Sequence, residues 1–243
     1  MEMKSKNRRN QKNKRKNKEK LPRTLLHIPN ADKKFHESWE DGDDPLNFPH
    51  PFRCLLASGG RPNLRKTNTA KNIVLRQEPP FEVIHLLHCG GSNSKEWDDF
   101  NVNLLKEVPE PYDEKIFNPA KKTLLIIEDW NFKNEKAANK KKFDRILGYT
   151  STHQNVSVIT TAQGFFSIPH MFRLMSNIIC VWKTKDMDSL ETMRRRVDMK
   201  KEDWLHIFNN FIIEPHDFLM IDNTKNTPYP LRINGYKVLK INY

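Results

Sequence analysis

Beyond residue 50 the chain alternates short apolar runs with stretches whose apolar residues recur every three or four positions. "FRCLLAS" (52–58), "FEVIHLLH" (81–88), "KTLLIIEDW" (122–130), "VSVITTAQ" (156–163) and "NIICVWK" (177–183) are strand-length, branched and apolar, and predict five strands. Between them, residues 66–77, residues 135–150 and "IPHMFRLMS" (168–176) predict helices. "NVNLLKEVPEPYDE" (101–114) closes a segment of mixed character. Apolar runs alternating with helices imply βαβ units: an α/β fold with a mainly parallel central sheet and helices on both faces. After Lys183 two helical patterns follow, "MDSLETMRRRVDM" and "KKEDWLHIFNNF", and then a terminal strand or hairpin with turn residues at "NTKN" and "NG".

The first fifty residues have no such pattern. Residues 1–20 hold ten Lys/Arg against two Glu, which is +8 of the net +12 of the chain. This segment has almost nothing to pack, so residues 1–22 are expected to form a disordered basic tail. A charge run of this kind attracts polyanions or a nuclear import receptor, or simply solubilises. Residues 23–50 read as a Pro- and Asp-rich leader, and residues 51–243 as the folded domain. No apolar run approaches a membrane span and no secretory pattern is visible, so a soluble protein without a membrane partner is expected. Three scattered cysteines, Cys54, Cys89 and Cys180, predict buried thiols in a reducing, intracellular compartment. His85, His88 and Cys89 lie close together but lack a second cluster, and read as a strand end rather than a metal site.

The candidate chemistry begins where the first strand meets the first helix. Gly60, then Arg61, Pro62, Asn63 and Leu64, then Arg65, Lys66 and Thr67 follow a phosphate-binding loop, with Arg65 in place of the second glycine. In such a loop, backbone N–H groups wrap the phosphates, Lys66 neutralises β/γ oxygens and Thr67 holds Mg²⁺. The third strand ends in Glu128 and Asp129, at the edge where ligands bind in open α/β sheets. One carboxylate would serve Mg²⁺ and the other would polarise the attacking water. Glu128 stands where Asp is usual, and its extra methylene shifts the oxygens outward. The fourth strand ends in Thr160, Thr161 and Gln163, groups able to orient a water or sense a γ-phosphate. Arg173 follows as a candidate arginine finger towards a neighbouring subunit. The run Arg194 to Arg196 reads as a solvated helix face, or as a contact for DNA phosphates.

The order of "PFRCLLASGGRPNLRKTNTAKNIVL", "KTLLIIEDWNF" and "HQNVSVITTAQGFFSIPHMFR" resembles the genome-packaging ATPases of the FtsK–HerA superfamily. It is most similar to the short versions in Polinton- and adintovirus-like elements and virophages, and more distantly to the poxvirus type. The resemblance implies a P-loop NTPase with an additional strand between Walker A and Walker B. It also implies an ATP- and Mg²⁺-dependent motor, assembled as a homo-oligomeric ring, that threads double-stranded DNA into a preformed capsid, with vertex proteins as partners. By that resemblance Lys66 and Thr67 take the Walker A roles, Glu128 and Asp129 the Walker B roles, Gln163 a sensor role and Arg173 a finger in trans. The expected location is the host nucleus, the assembly site or the virion. Arg65 and Glu128 depart from the pattern and raise a second reading: a P-loop protein with impaired turnover, acting as a nucleic-acid-binding or capsid-associated factor. A small-molecule kinase fits less well, because adjacent acids on the strand suit water activation.

Overall fold

The computed structural model describes residues 48–57, 66–89, 95–224, 227 and 229–240. The expectations for the basic tail, for most of the leader, and for Gly60 to Arg65 lie outside the described residues. Strands β1 (Arg53–Ala57), β2 (Val83–His88), β3 (Asn103–Leu105), β4 (Thr123–Glu128), β5 (Val156–Ala162) and β6 (Ile178–Trp182) run parallel. β7 (Phe218–Asp222), β8 (Leu231–Ile233) and β9 (Lys237–Val238) continue the sheet antiparallel, in the order β3-β2-β4-β5-β1-β6-β7-β8-β9. The five predicted strands are all present. β3 is the addition: three residues with two exposed, too short to show a period.

β4 is buried along its whole length. Leu125 and Ile127 join the core on one face of the sheet, and Leu124 and Ile126 the core on the other. Burial on both faces is the reason its sequence reads as an unbroken apolar run. On one face lie α2 (Ala137–Arg145), α3 (His170–Met175), α4 (Met187–Arg196) and α5 (Lys201–Asn210), which contribute Phe143, Phe172, Met193 and Trp204. On the other lies α1 (Lys66–Arg76), which inserts Ala70 and Val74 at helical spacing. Phe48 and Phe52 pack edge to face at 5.1 Å in this second core, and His50 Nδ1 lies 2.8 Å from Ser157 Oγ. Phe48 and His50, read as leader from the sequence, are therefore part of the packed unit.

The helix expected over residues 135–150 is α2 followed by a π-helical turn, Ile146–Thr150, and a last turn, Ser151–His153. Ser151 N–H reaches back to Ile146 C=O, and the Arg53 guanidinium takes up the neighbouring Leu147 carbonyl at 3.3 Å. Arg53 also donates to Met175 C=O at 2.8 Å, so one side chain at the start of β1 ties two helical segments together. The "NG" turn forms as its residues require. Asn234 and Gly235 have φ of 57° and 81°, and Tyr236 N–H donates to Ile233 C=O between β8 and β9. Cys54 and Cys180 are buried as expected, but Cys89 is exposed. It sits one residue past β2, where the chain leaves the sheet. No helix among the described residues is long and apolar enough to cross a membrane.

Candidate functional site

Parallel strands deliver their carboxyl ends to one edge, and three of them build the site. β1 leads into the loop sequence and α1, β4 ends at Glu128, and β5 lies between them. β5 thus separates the strand before the loop from the acidic strand, as the family resemblance implies of its additional strand. Lys66 and Thr67 are the first two residues of α1. Lys66 is buried on the same helix face as Ala70 and Val74, which places its ammonium-bearing chain beside the helix N-terminus, where anions are favoured.

Thr67 Oγ1 donates to Glu128 Oε1 at 2.5 Å. The second oxygen of that carboxylate, Oε2, accepts from Trp97 Nε1 at 2.7 Å. Glu128 is only 3% exposed, and a carboxylate so deep in the fold requires partners on both oxygens. Asp129 differs in each respect. It is exposed, its backbone takes a left-handed φ of 45°, and its N–H donates to Thr161 Oγ1 at 3.1 Å. In a continuing strand the two acids would point to opposite faces. The left-handed residue breaks that alternation, at a cost of about 1–2 kcal/mol that Asp bears better than most residues. Among the described residues no hydrogen bond or ion pair engages the Asp129 carboxylate. The buried acid is held and the exposed one is open to solvent, a division suited to placing a cation and accepting a proton, respectively.

The donor set suits Mg²⁺. A threonine hydroxyl and a carboxylate are hard oxygen donors, and Mg²⁺ usually takes one or two such protein ligands with waters and phosphate oxygens completing the octahedron. Because Thr67 gives its proton to Glu128, its lone pairs are left for a cation. Among the described residues no group of three or more His, Cys, Asp or Glu could hold a metal by itself. A cation here would arrive with its phosphates.

The other predicted residues are placed as follows. Gln163 is exposed, one residue past β5. Thr161, expected to face a phosphate or water, is fully buried and holds the Asp129 backbone. Arg173, on α3, lies over the rings of Phe165 and Phe166 at 5.3 and 5.0 Å, with Nε donating to Ile168 C=O at 3.1 Å. None of these contacts reaches Thr67, Glu128 or Asp129. The arginine run is not a uniform solvated face. Arg196 donates to the carbonyls of Arg173 and Leu174, and its own pKa is lowered by burial and then by the Arg173 charge. Arg194 and Arg195 both bond Glu191, holding that carboxyl down at about 2 with Arg194 as the larger cause. Trp97 escaped the sequence reading. It sits on a single 3-10 turn, Lys95–Trp97, in the mixed segment between β2 and β3, where no spacing marks a Trp as a site residue.

No protein-family model matches this chain, and no curated protein matches it in sequence. Its fold does match solved structures. The genome packaging NTPase B204 from Sulfolobus turreted icosahedral virus 2, in complex with ATP-gammaS, superposes with a TM-score of 0.51 at 14% identity, covering 78% of this chain and 99% of that one. The same protein in complex with sulfate gives 0.51 at 15% identity, covering 78% and 98%. In complex with AMP it gives 0.50 at 14% identity, covering 78% and 99%. The shared property at this identity is the fold, an α/β architecture that in this chain has a mostly parallel central sheet.

Proposed function

We propose that this chain is a P-loop ATPase that drives double-stranded DNA into a viral capsid, working as a ring of identical subunits docked on capsid vertex proteins. The observation that carries the reading is the Thr67–Glu128 pair, which joins the first turn of α1 to the end of β4. ATP would lie across the edge of β1, β5 and β4, with its phosphates in the loop of Gly60 to Arg65 and at the α1 N-terminus. Lys66 would neutralise the β/γ oxygens, and Thr67 and Glu128 would hold Mg²⁺, which would supply positive charge to offset that of the phosphates. Asp129 accepts the proton of the attacking water, whose oxygen bonds to the γ-phosphorus as the bridging oxygen leaves with ADP. Gln163 orients that water or senses the γ-phosphate, and Arg173 of one subunit serves the next. The fold likeness to B204, a genome packaging NTPase, supports the reading, as does the basic tail, a polyanion-seeking segment of +8.

The test is Mg²⁺-dependent phosphate release by the purified full chain. Thr67→Ala is expected to lower turnover about 100-fold or more, as loss of a transition-state contact does, and to raise the Mg²⁺ needed for half-maximal rate. Lys66→Ala is expected to abolish turnover. Salt-sensitive DNA binding with no turnover in the wild type would instead support the second reading, a nucleic-acid-binding P-loop factor.

A further inference from the structure

Trp97 is buried at 1% exposure and gives the only polar atom of its side chain to Glu128 Oε2. It does not stand alone. Its ring packs edge to face on Phe100 at 5.4 Å, and Lys71 Nζ lies 5.6 Å from the Trp97 ring and 5.3 Å from that of Phe100. Lys71 is one turn after Thr67 on α1, so both residues lie on the same side of that helix. A closed circuit results. Thr67 holds one oxygen of Glu128, Trp97 holds the other, and Lys71 clamps the indole from the helix that carries Thr67. A cation over the ring also draws electron density from the indole and strengthens its N–H as a donor.

Resting on the ATPase reading, we propose that Trp97 is a positioning residue for Glu128, and that it is what makes a glutamate workable at this metal-side position. A glutamate has one more rotatable bond than an aspartate. Unrestrained, its carboxylate would swing through several rotamers, and Oε1 would meet Thr67 only part of the time. The indole N–H fixes the far oxygen, so the near one is presented to Thr67 in a single orientation. An aspartate is too short to reach both partners from the same backbone position. The turn Lys95–Trp97 therefore supplies an indole donor matched to the longer acid.

The test pairs Trp97→Phe with Glu128→Asp. Trp97→Phe keeps an aromatic ring and removes the donor; it is expected to lower kcat and raise the Mg²⁺ half-activation concentration by about 10-fold or more, the usual effect of losing an outer-shell partner. KM for ATP at saturating Mg²⁺ should change far less. In the Glu128→Asp background, where the indole bond cannot form, Trp97→Phe should cost less than about twofold, since the two residues act through one shared bond and changes to coupled partners do not add. A Trp97 that matters only for packing would cost the same in both backgrounds, and that result overturns the proposal, as does a Trp97→Phe protein with unaltered kcat and Mg²⁺ dependence. The Trp97 indole ¹H–¹⁵N signal supplies a reading that needs no turnover. It should move upfield in Glu128→Asp, and an unmoved signal overturns the proposal. A wild type that neither binds nor hydrolyses ATP counts against the ATPase reading, whereas a wild type that hydrolyses ATP with Trp97→Phe unaffected counts against Trp97 alone.

Discussion

The two acids at the end of β4 are neighbours in sequence but occupy different media, and this decides what each can do. Glu128 is buried with both oxygens engaged, whereas Asp129 faces solvent from a left-handed backbone. Asn tolerates that conformation as well as Asp does. Asp129→Asn should therefore fold with unchanged stability and bind ATP, while hydrolysis falls by about 100-fold or more for want of a base. Calorimetric binding and phosphate release, measured together, distinguish this from a folding defect. At this scale the sequence was legible where chemistry is written in residue type: "KT" opening a helix and "ED" closing a buried strand. It was not legible for Trp97 or Thr161. Their roles come from hydrogen bonds to Glu128 and to the Asp129 backbone, across separations of about thirty residues, and no local spacing encodes such pairs.

At the scale of elements, the parallel half of the sheet was readable because strands buried on both faces leave unbroken apolar runs. The short exposed β3, the π-helical turn and the partial burial of Arg53 and Arg196 were not, since each is set by tertiary partners. The antiparallel extension is secured by a different device. Asp222 at the end of β7 and Arg232 on β8 form a 2.6 Å ion pair, each side chain 1% exposed. Such pairs contribute little net stability, but removal of one partner strands a buried charge. Asp222→Ala is expected to lower unfolding stability by about 3–5 kcal/mol, read as a shifted urea midpoint. On β2, burial holds the His85 imidazole below its ordinary 6.5, although its bond to the Ile116 carbonyl opposes this. The unfolded chain then takes up the proton first as the pH falls. The contribution of His85 to stability is complete above 6.5 and is lost as the pH drops through and below that value, until the folded imidazole also titrates. Between about pH 7 and about pH 5 the wild type should lose more stability than His85→Gln, and parallel curves would contradict this.

For the whole molecule, the same sheet edge that brings Thr67 to Glu128 is where P-loop NTPases bind nucleotide, and the likeness to B204 extends over 78% of the chain. Fold class was legible because alternation of strands and helices is a property of the entire sequence and survives local misreading. Boundaries were less so: Phe48 and His50 look like leader because their partners, Phe52 and Ser157, are recognisable only in the folded state. The most direct measurement is the rate of phosphate release from Mg·ATP by the purified protein, with and without linear double-stranded DNA, beside Lys66→Ala. A DNA translocase should turn over ATP severalfold faster with DNA and not at all as Lys66→Ala. Hydrolysis no greater than that of Lys66→Ala, or a rate indifferent to DNA that the protein demonstrably binds, would contradict the account.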